Sequence, residues 1–284
     1  MDMQAPDVAY LGPSGTYSHQ AAHDRFGPDI AYAEQRTITD VFHAVTNRGA
    51  VGVVPQENTI FGAVVETYDA LSRTDVFVRG AVTLAVQHCL LVKSGTRLEE
   101  IETIISHEQA LGQCQEFMRA YLPEAQLVRA SSTAAAARDV LAGPSSCAAI
   151  GSKLCAVLFP GLTVLRQSIQ AESANFTRFY IITKEPTAPL PGPPAHEDRT
   201  QAALLALAPS PKEASVDITT IITVLQLIVA RIDRRPAANG VPFQDMYLLE
   251  VKGDMPAVEW RARVEKAIKR AQGSGADARL VGIW

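Results

Sequence analysis

Residues 184–201 read KEPTAPLPGPPAHEDRTQ, with five prolines and one glycine. Proline locks φ and lacks the backbone N–H, so no helix interior and no central strand can run through such a stretch. The chain must therefore fold on either side of it. This predicts two parts, residues 1–185 and 201–284, joined by a stiff, extended linker over 186–200. A chain of 284 residues is also the size of about two ordinary domains.

On the N-terminal side, strand and helix patterns alternate. VAYLG reads as a strand stopping at a Gly-Pro turn, GTYSHQAAHDRF as a helix opening and AVGVVPQEN as a buried strand. VTLAVQHCLLV is a further strand, IETIISHEQALGQCQEFMRAYL a strand then one helix, and SCAAIGSKLCAVLF a strand then a helix. Alternation of this kind predicts an α/β unit with a mostly parallel sheet, whose ligands bind at the carboxyl ends of the strands. Past the prolines the order changes. QAALLALAP, SVDITTIITVL, LIVARIDRRP, DMYLLEVKGD, AVEWRARVEKAIKRA and ARLVGIW spell the βαββαβ string of a ferredoxin-like domain.

Four short polar clusters sit at the junctions of these elements. In ESANFTRFYII, Asn175, Thr177 and Arg178 crowd the start of a buried strand, where unpartnered polar groups cost a few kcal/mol each. They hold one another or face something that is not protein. In GPSGTYS, Thr16 and Ser18 open a helix; an ordinary cap and an anion site are both open readings. In PQENT, the strand runs into Glu57, Asn58 and Thr59. In SHEQALGQC, Ser106 with Gln109 reads as a capping box, and Gln113 lies one turn further on. No Ser–His–Asp order, paired-carboxylate motif or metal-ligand spacing occurs in the clusters, so no metal is expected. Hydroxyls, amides and one guanidinium suit a reaction that needs orientation and help to a leaving group rather than a strong nucleophile.

Composition narrows the partners. The net charge is -4 and no basic block stands out, which argues against nucleic acid. The most apolar stretches are too short and too interrupted to span a membrane. The opening residues MDMQAPDVAY resemble neither a secretory signal nor a transit peptide, and four cysteines without CxxC read as buried thiols. A cytoplasmic protein acting on a small molecule is expected.

In this order the four clusters resemble prephenate dehydratase, which carries GPxGTxS, P-x-E-N-S, SHPQALxQC and N-x-T-R-F boxes; the likeness runs through residues 8–184. It implies two α/β lobes around a cleft, similar to periplasmic binding proteins, with lobe 1 at 1–80 and 168–185 and lobe 2 at 81–167. It further implies cofactor-free conversion of prephenate to phenylpyruvate in phenylalanine biosynthesis, by a lyase; on size, with no helical N-terminal extension in the sequence, no chorismate mutase fusion is expected. Thr177 matches the catalytic threonine. Thr16, Ser18, Glu57, Asn58, Thr59, Ser106, Gln113, Asn175 and Arg178 match substrate-binding positions, with Arg178 either balancing a carboxylate or pinning its loop through Glu57. Ala171 stands where the family often has aspartate, leaving Glu172 as its possible substitute.

The C-terminal part looks like an ACT domain, implying a homodimer or homotetramer. Its phenylalanine site would be degenerate. The glycine-containing box has no counterpart in KEASVDITTIITVL, and of the second box only Asp233, Arg235 and Pro236 remain, with Arg234 replacing a small residue. The connection at Gln226–Leu227 looks short. Two rivals stand beside this reading: arogenate dehydratase, and a binding protein of the same fold without turnover.

Overall fold

The computed structural model describes residues 8–193, 201–210, 217–237 and 241–284. Its fold is mixed α/β, built on two sheets. The chain begins with β1 (Val8–Leu11), α1 (Tyr17–Phe26), β2 (Tyr32–Gln35), α2 (Ile38–Arg48), β3 (Val51–Asn58), a two-residue β4 (Gly62–Ala63), α3 (Val65–Arg73) and β5 (Phe77–Ala85). It crosses to the second sheet through β6 (Cys89–Lys93), β7 (Thr103–Ser106), α4 (Glu108–Gln113), α5 (Gln115–Tyr121), β8 (Gln126–Arg129), α6 (Thr133–Ala142), β9 (Cys147–Gly151), α7 (Leu154–Leu158) and β10 (Leu162–Arg166). It returns as β11 (Phe176–Thr183), and the C-terminal part follows as β12 (Gln201–Pro209), α8 (Ile218–Leu225), β13 (Ile228–Pro236), β14 (Asp245–Gly253), α9 (Ala257–Gly273) and β15 (Ala276–Ile283).

The small sheet has the order β10-β6-β9-β7-β8 and the large one β13-β14-β12-β15-β5-β11-β3-β1-β2. Both are mixed, which corrects the expectation of a mostly parallel sheet. The helix-linked neighbours β1–β2, β1–β3, β7–β8 and β7–β9 are parallel. The returning strand β11 lies antiparallel between β3 and β5, because it enters from the crossing and not from a βαβ helix.

Two further expectations change. VTLAVQHCLLV is not one strand: it breaks at residues 86–88, where the chain passes between the sheets. The helix expected after Ser106 is two, divided at Cys114. By contrast, β12 to β15 follow the βαββαβ order expected of residues 201–284.

The C-terminal strands join the large sheet through one residue pair, Gly282 opposite Val78. A Cβ on Gly282 would stand 2.5 Å from the Val78 Cβ and 2.6 Å from its carbonyl oxygen, so this close approach needs glycine. At this junction the sheet turns over on itself. Leu204, Met246, Leu248 and Val281 pack in one buried cluster with Val54, Val78, Tyr180 and Ile182, bringing β13 and β14 over the face of β3 and β11. A second core lies under α8 and α9, where Trp260, Val264 and Ala267 cover Leu205, Leu249 and Val251.

The proline-rich stretch is not a free spacer in its described half. Arg79 donates to the Ala188 carbonyl, Arg25 to that of Pro193, and Leu190 packs against the buried cluster that holds Phe26. Residues 194–200 lie outside the described residues. So do residues 211–216, which hold part of the segment compared with the missing glycine box. Gln226 ends α8 in the left-handed conformation at φ 50°, and β13 begins two residues later, so the connection is short.

Candidate active site

A cavity of about 380 Å³ opens between the two sheets. One wall comes from the large sheet: Leu11, Gly12, Thr16, Tyr17 and Ser18 from the end of β1 onward, Asn58 and Phe61 from the end of β3 onward, and Asn175 and Thr177 at the head of β11. The other wall comes from the small sheet, with His107, Gln109, Ala110 and Gln113 on α4 and Ser131, Ser132 and Thr133 at the start of α6. His88 and Val86 line it from the crossing. The side chains are hydroxyl, amide, imidazole and apolar; among the described residues the lining contains no Lys or Arg.

One hydrogen-bonded chain organises the wall. Asn58 Oδ1 accepts the backbone N–H groups of Ile60 and Phe61, at 2.9 and 3.1 Å. That fixes the amide orientation and turns Nδ2 toward β11. Nδ2 then donates to Asn175 Oδ1 at 2.8 Å and to Thr177 Oγ1 at 2.9 Å. Asn175 is 2% exposed and donates onward to Gln113 Oε1 at 3.1 Å. Gln113 Oε1 also receives His88 Nε2 at 2.7 Å. His88 Nδ1 is thereby left as an acceptor, and Tyr17 donates its hydroxyl to it at 2.6 Å.

The ionisation of this chain follows from its burial. Desolvation lowers the His88 pKa, opposed by the bond to Gln113, so the ring is neutral and keeps one donor and one acceptor. Desolvation pushes the Tyr17 phenol well up. At the far end, Thr177 Oγ1 accepts from Asn58, so its own proton is not used in that bond. The strand register places Thr177 directly opposite Asn58.

Thr16 is the N-cap of α1: Oγ1 accepts from the His19 N–H at 3.3 Å and donates to the Leu11 carbonyl at 2.9 Å. Its capping role and its place on the cavity wall therefore coexist. Ser18 is 7% exposed and lies in the first turn of α1, on the cavity wall. Here the N–H groups and helix dipole favour negative charge.

The other expected residues lie off the wall. Ser106 ends β7 and donates to the Ile150 carbonyl at 2.6 Å; it is still in the sheet, and His107 caps α4 instead. Thr59 Oγ1 donates to the Ala174 carbonyl and accepts from Phe176 N–H, at 2.7 and 2.9 Å. Glu57 pairs with Arg231, and Arg178 pairs with Glu250 at 3.3 Å. Neither Glu57 nor Arg178 reaches the cavity, because alternate residues of a strand face opposite sides of the sheet, and the expected Arg178–Glu57 pin is replaced by these two bonds. At Ala171 the backbone N–H binds the Gln113 carbonyl at 2.9 Å. Glu172 turns back to the Ala174 N–H at 3.3 Å and takes no part in holding Gln113.

Tyr17, His88, His107 and Ser131–Thr133 were not expected at the site. The GT-Y-S box carried a signal for Tyr17, and SSTAAAARD a capping signal for α6. His88 sits inside an apolar run and gave none. Among the described residues, no three of His, Cys, Asp and Glu stand close enough together to hold a metal ion. Likewise no described helix is long and apolar enough to cross a membrane.

Residues 8–187 match the family model of prephenate dehydratase. The chain belongs to the prephenate dehydratase family. Its relatives include the bifunctional chorismate mutase/prephenate dehydratase of Escherichia coli K12, which is 32% identical over 267 residues, 92% of this chain and 66% of that protein. The chain thus spans about two thirds of that relative's length. Among solved structures, the prephenate dehydratase of Arthrobacter aurescens in complex with L-Phe superposes with a TM-score of 0.77 at 24% identity, covering 98% of this chain and 89% of that one. A protein described as a novel type of quorum quenching acylase superposes with a TM-score of 0.75, also at 24% identity, covering 98% and 97%. At that identity the superpositions show a shared fold, so an activity has to be argued from the family and the site.

Proposed function

We propose that the chain converts prephenate to phenylpyruvate, as a cofactor-free carbon–oxygen lyase of L-phenylalanine biosynthesis. Prephenate carries two carboxylates and a ring hydroxyl on a non-aromatic diene. The ring C–O bond and the bond to the ring carboxylate break, carbon dioxide and water leave, and the electron pair of the carboxylate bond completes the aromatic ring. Aromatisation drives the step. What the protein must add is a proton or hydrogen bond for the departing hydroxyl, and a place for two negative charges.

The orientation of the Asn58 amide carries this reading. Because Nδ2 donates to Thr177 Oγ1, the threonine proton is free for the cavity and faces a departing hydroxyl as a donor. Threonine is a very weak acid, so the transfer is concerted with C–O cleavage. With no guanidinium among the described residues of the wall, the carboxylates fall to the first turns of α1 and α6 and their hydroxyls. Asn58, Gln113 and Asn175 orient the donor and the substrate.

In this reading the catalytic part comprises residues 1–185, with two lobes similar to periplasmic binding proteins. Residues 201–284 form an ACT-like unit that pairs subunits into a homodimer or homotetramer in the cytoplasm. Incubating the purified chain with prephenate and, separately, with arogenate tests the assignment. Phenylpyruvate from prephenate is expected; turnover of arogenate alone, or of neither, overturns it.

A further inference from the structure

Four charged residues form a square on the face of β3 and β11 turned away from the cavity. Glu57 and Arg178 are cross-strand partners on β3 and β11. Arg231 and Glu250 are cross-strand partners on β13 and β14. Across the gap, Glu57 pairs with Arg231 and Arg178 with Glu250. Charges therefore alternate around the square. The Glu250 side chain is 4% exposed. Tyr180, two residues beyond Arg178, also donates to Glu250, at 3.4 Å. Arg231 is held from its other side by Asp233, at 2.6 and 3.0 Å, and lies over the Tyr68 ring.

The strand pair behind this square is the one that carries Asn58 and Thr177. Glu57 precedes Asn58, Arg178 follows Thr177, and the register sets the two pairs side by side. A strand is stiff across adjacent residues, so fixing one face fixes the other. A further seam contact lies away from these residues: Arg235 pairs with Asp69 on α3.

We propose that Arg231, reaching Glu57 from the C-terminal unit, is a positioning residue that holds the Asn58–Thr177 donor pair in register with the cavity. This rests on the function proposed above. It gives the C-terminal unit a standing part in turnover, independent of any ligand it binds. It also gives Asp233 a task, since its carboxylate holds the guanidinium that Glu57 receives.

A double-mutant cycle on the full chain tests it, with prephenate turnover and thermal unfolding read together. Arg231→Gln and Glu57→Gln are each expected to lower kcat about tenfold or more while KM stays within about threefold, as misplacement of a reacting group does. The double variant is expected to be no slower than the slower single one, since both remove one interaction. Arg234→Gln, on the same strand but paired outward with Asp245 at 3.2 Å, is expected to keep kcat. Should Arg231→Gln not fold, Arg231→Lys takes its place. It keeps the charge but loses the fork that serves Glu57 and Asp233 together, and a kcat loss of about threefold is expected. A folded Arg231 variant with kcat within about twofold of the parent, or a double variant whose losses multiply, overturns the positioning role. No turnover by the unaltered chain overturns the functional reading and this one with it.

Discussion

Asn58 answers to five neighbours at once, and its geometry shows how much a single amide decides. Two backbone N–H groups hold its oxygen, and its nitrogen serves Asn175, Thr177 and the Phe176 carbonyl. Asp at this position would lose the donated bonds and put a carboxylate beside the substrate's own. Asn58→Asp is therefore expected to lower kcat by more than about tenfold, with the loss shown in kcat/KM as well. His19 makes a different residue-scale point. It lies behind the cavity, stacked on Tyr10 with ring centroids 4.2 Å apart, and its Nδ1 accepts the Gly15 N–H at 3.2 Å. Burial, with the nearby His23, pushes its pKa from 6.5 down to about 4. The unfolded chain then binds a proton that the folded chain excludes. Stability from this group is complete above about pH 6.5 and is lost as pH falls toward about 4, at up to about 1.4 kcal/mol per pH unit. Denaturant unfolding between pH 7 and pH 4 is expected to show this slope, reduced in His19→Gln. Thr16, Ser18, Asn58, Gln113, Asn175 and Thr177 were legible as a set through the four family boxes they resemble, since each polar cluster by itself also reads as an ordinary cap or turn. His88 was not, because its partners, Tyr17 and Gln113, are 71 and 25 residues away.

At the scale of elements, the hairpin-like meeting of β3 and β11 is held at its open end by Thr59. Its hydroxyl serves both the Ala174 carbonyl and the Phe176 N–H. Thr59→Val removes both bonds, and because these groups are exposed and can turn to water the cost is the net worth of an ordinary hydrogen bond, about 0.5–1.5 kcal/mol. It is expected to lower the unfolding midpoint and raise KM, while Thr59→Ser stays near the parent; melting curves and initial rates check this. Element boundaries show where sequence reasoning fell short. Ser106 looked like a cap because it is a hydroxyl just before a helical pattern, yet pairing with β8 carries the strand through it to Arg129. β2 has no fully buried residue and β8 is exposed throughout, so neither shows the alternation that marks a half-buried strand. The βαββαβ order of β12 to β15 was legible because its strands are long, nine or eight residues each with apolar stretches and β12 almost wholly apolar, and its helices have apolar faces.

For the whole molecule, the cavity exists because the two sheet units touch beyond it. Gly15 lies at φ 96°, and its carbonyl accepts the Ser152 hydroxyl at 2.7 Å from the other side. A Cβ there would stand 2.8 Å from Cys155 Sγ. Gly15→Ala is therefore expected to hold the units apart, raising KM several-fold with a smaller change in kcat. How the C-terminal unit folds onto β3 and β11 was not legible, since no local pattern encodes contacts between residues 57 and 231 or 178 and 250. These contacts also bear on control by phenylalanine. Asp233 and Arg235, which the ACT-like reading would make the rest of a ligand box, are engaged with Arg231 and Asp69. Weak or no inhibition is expected when activity is titrated with phenylalanine and binding is followed by calorimetry. The most direct test of the account compares Thr177→Val and Thr177→Ser with the parent on prephenate. Valine keeps the shape and β-branching of threonine and serine keeps the hydroxyl. The account requires kcat to fall about 10²–10⁴-fold in Thr177→Val and far less in Thr177→Ser; a folded Thr177→Val enzyme with near-parental kcat would contradict it.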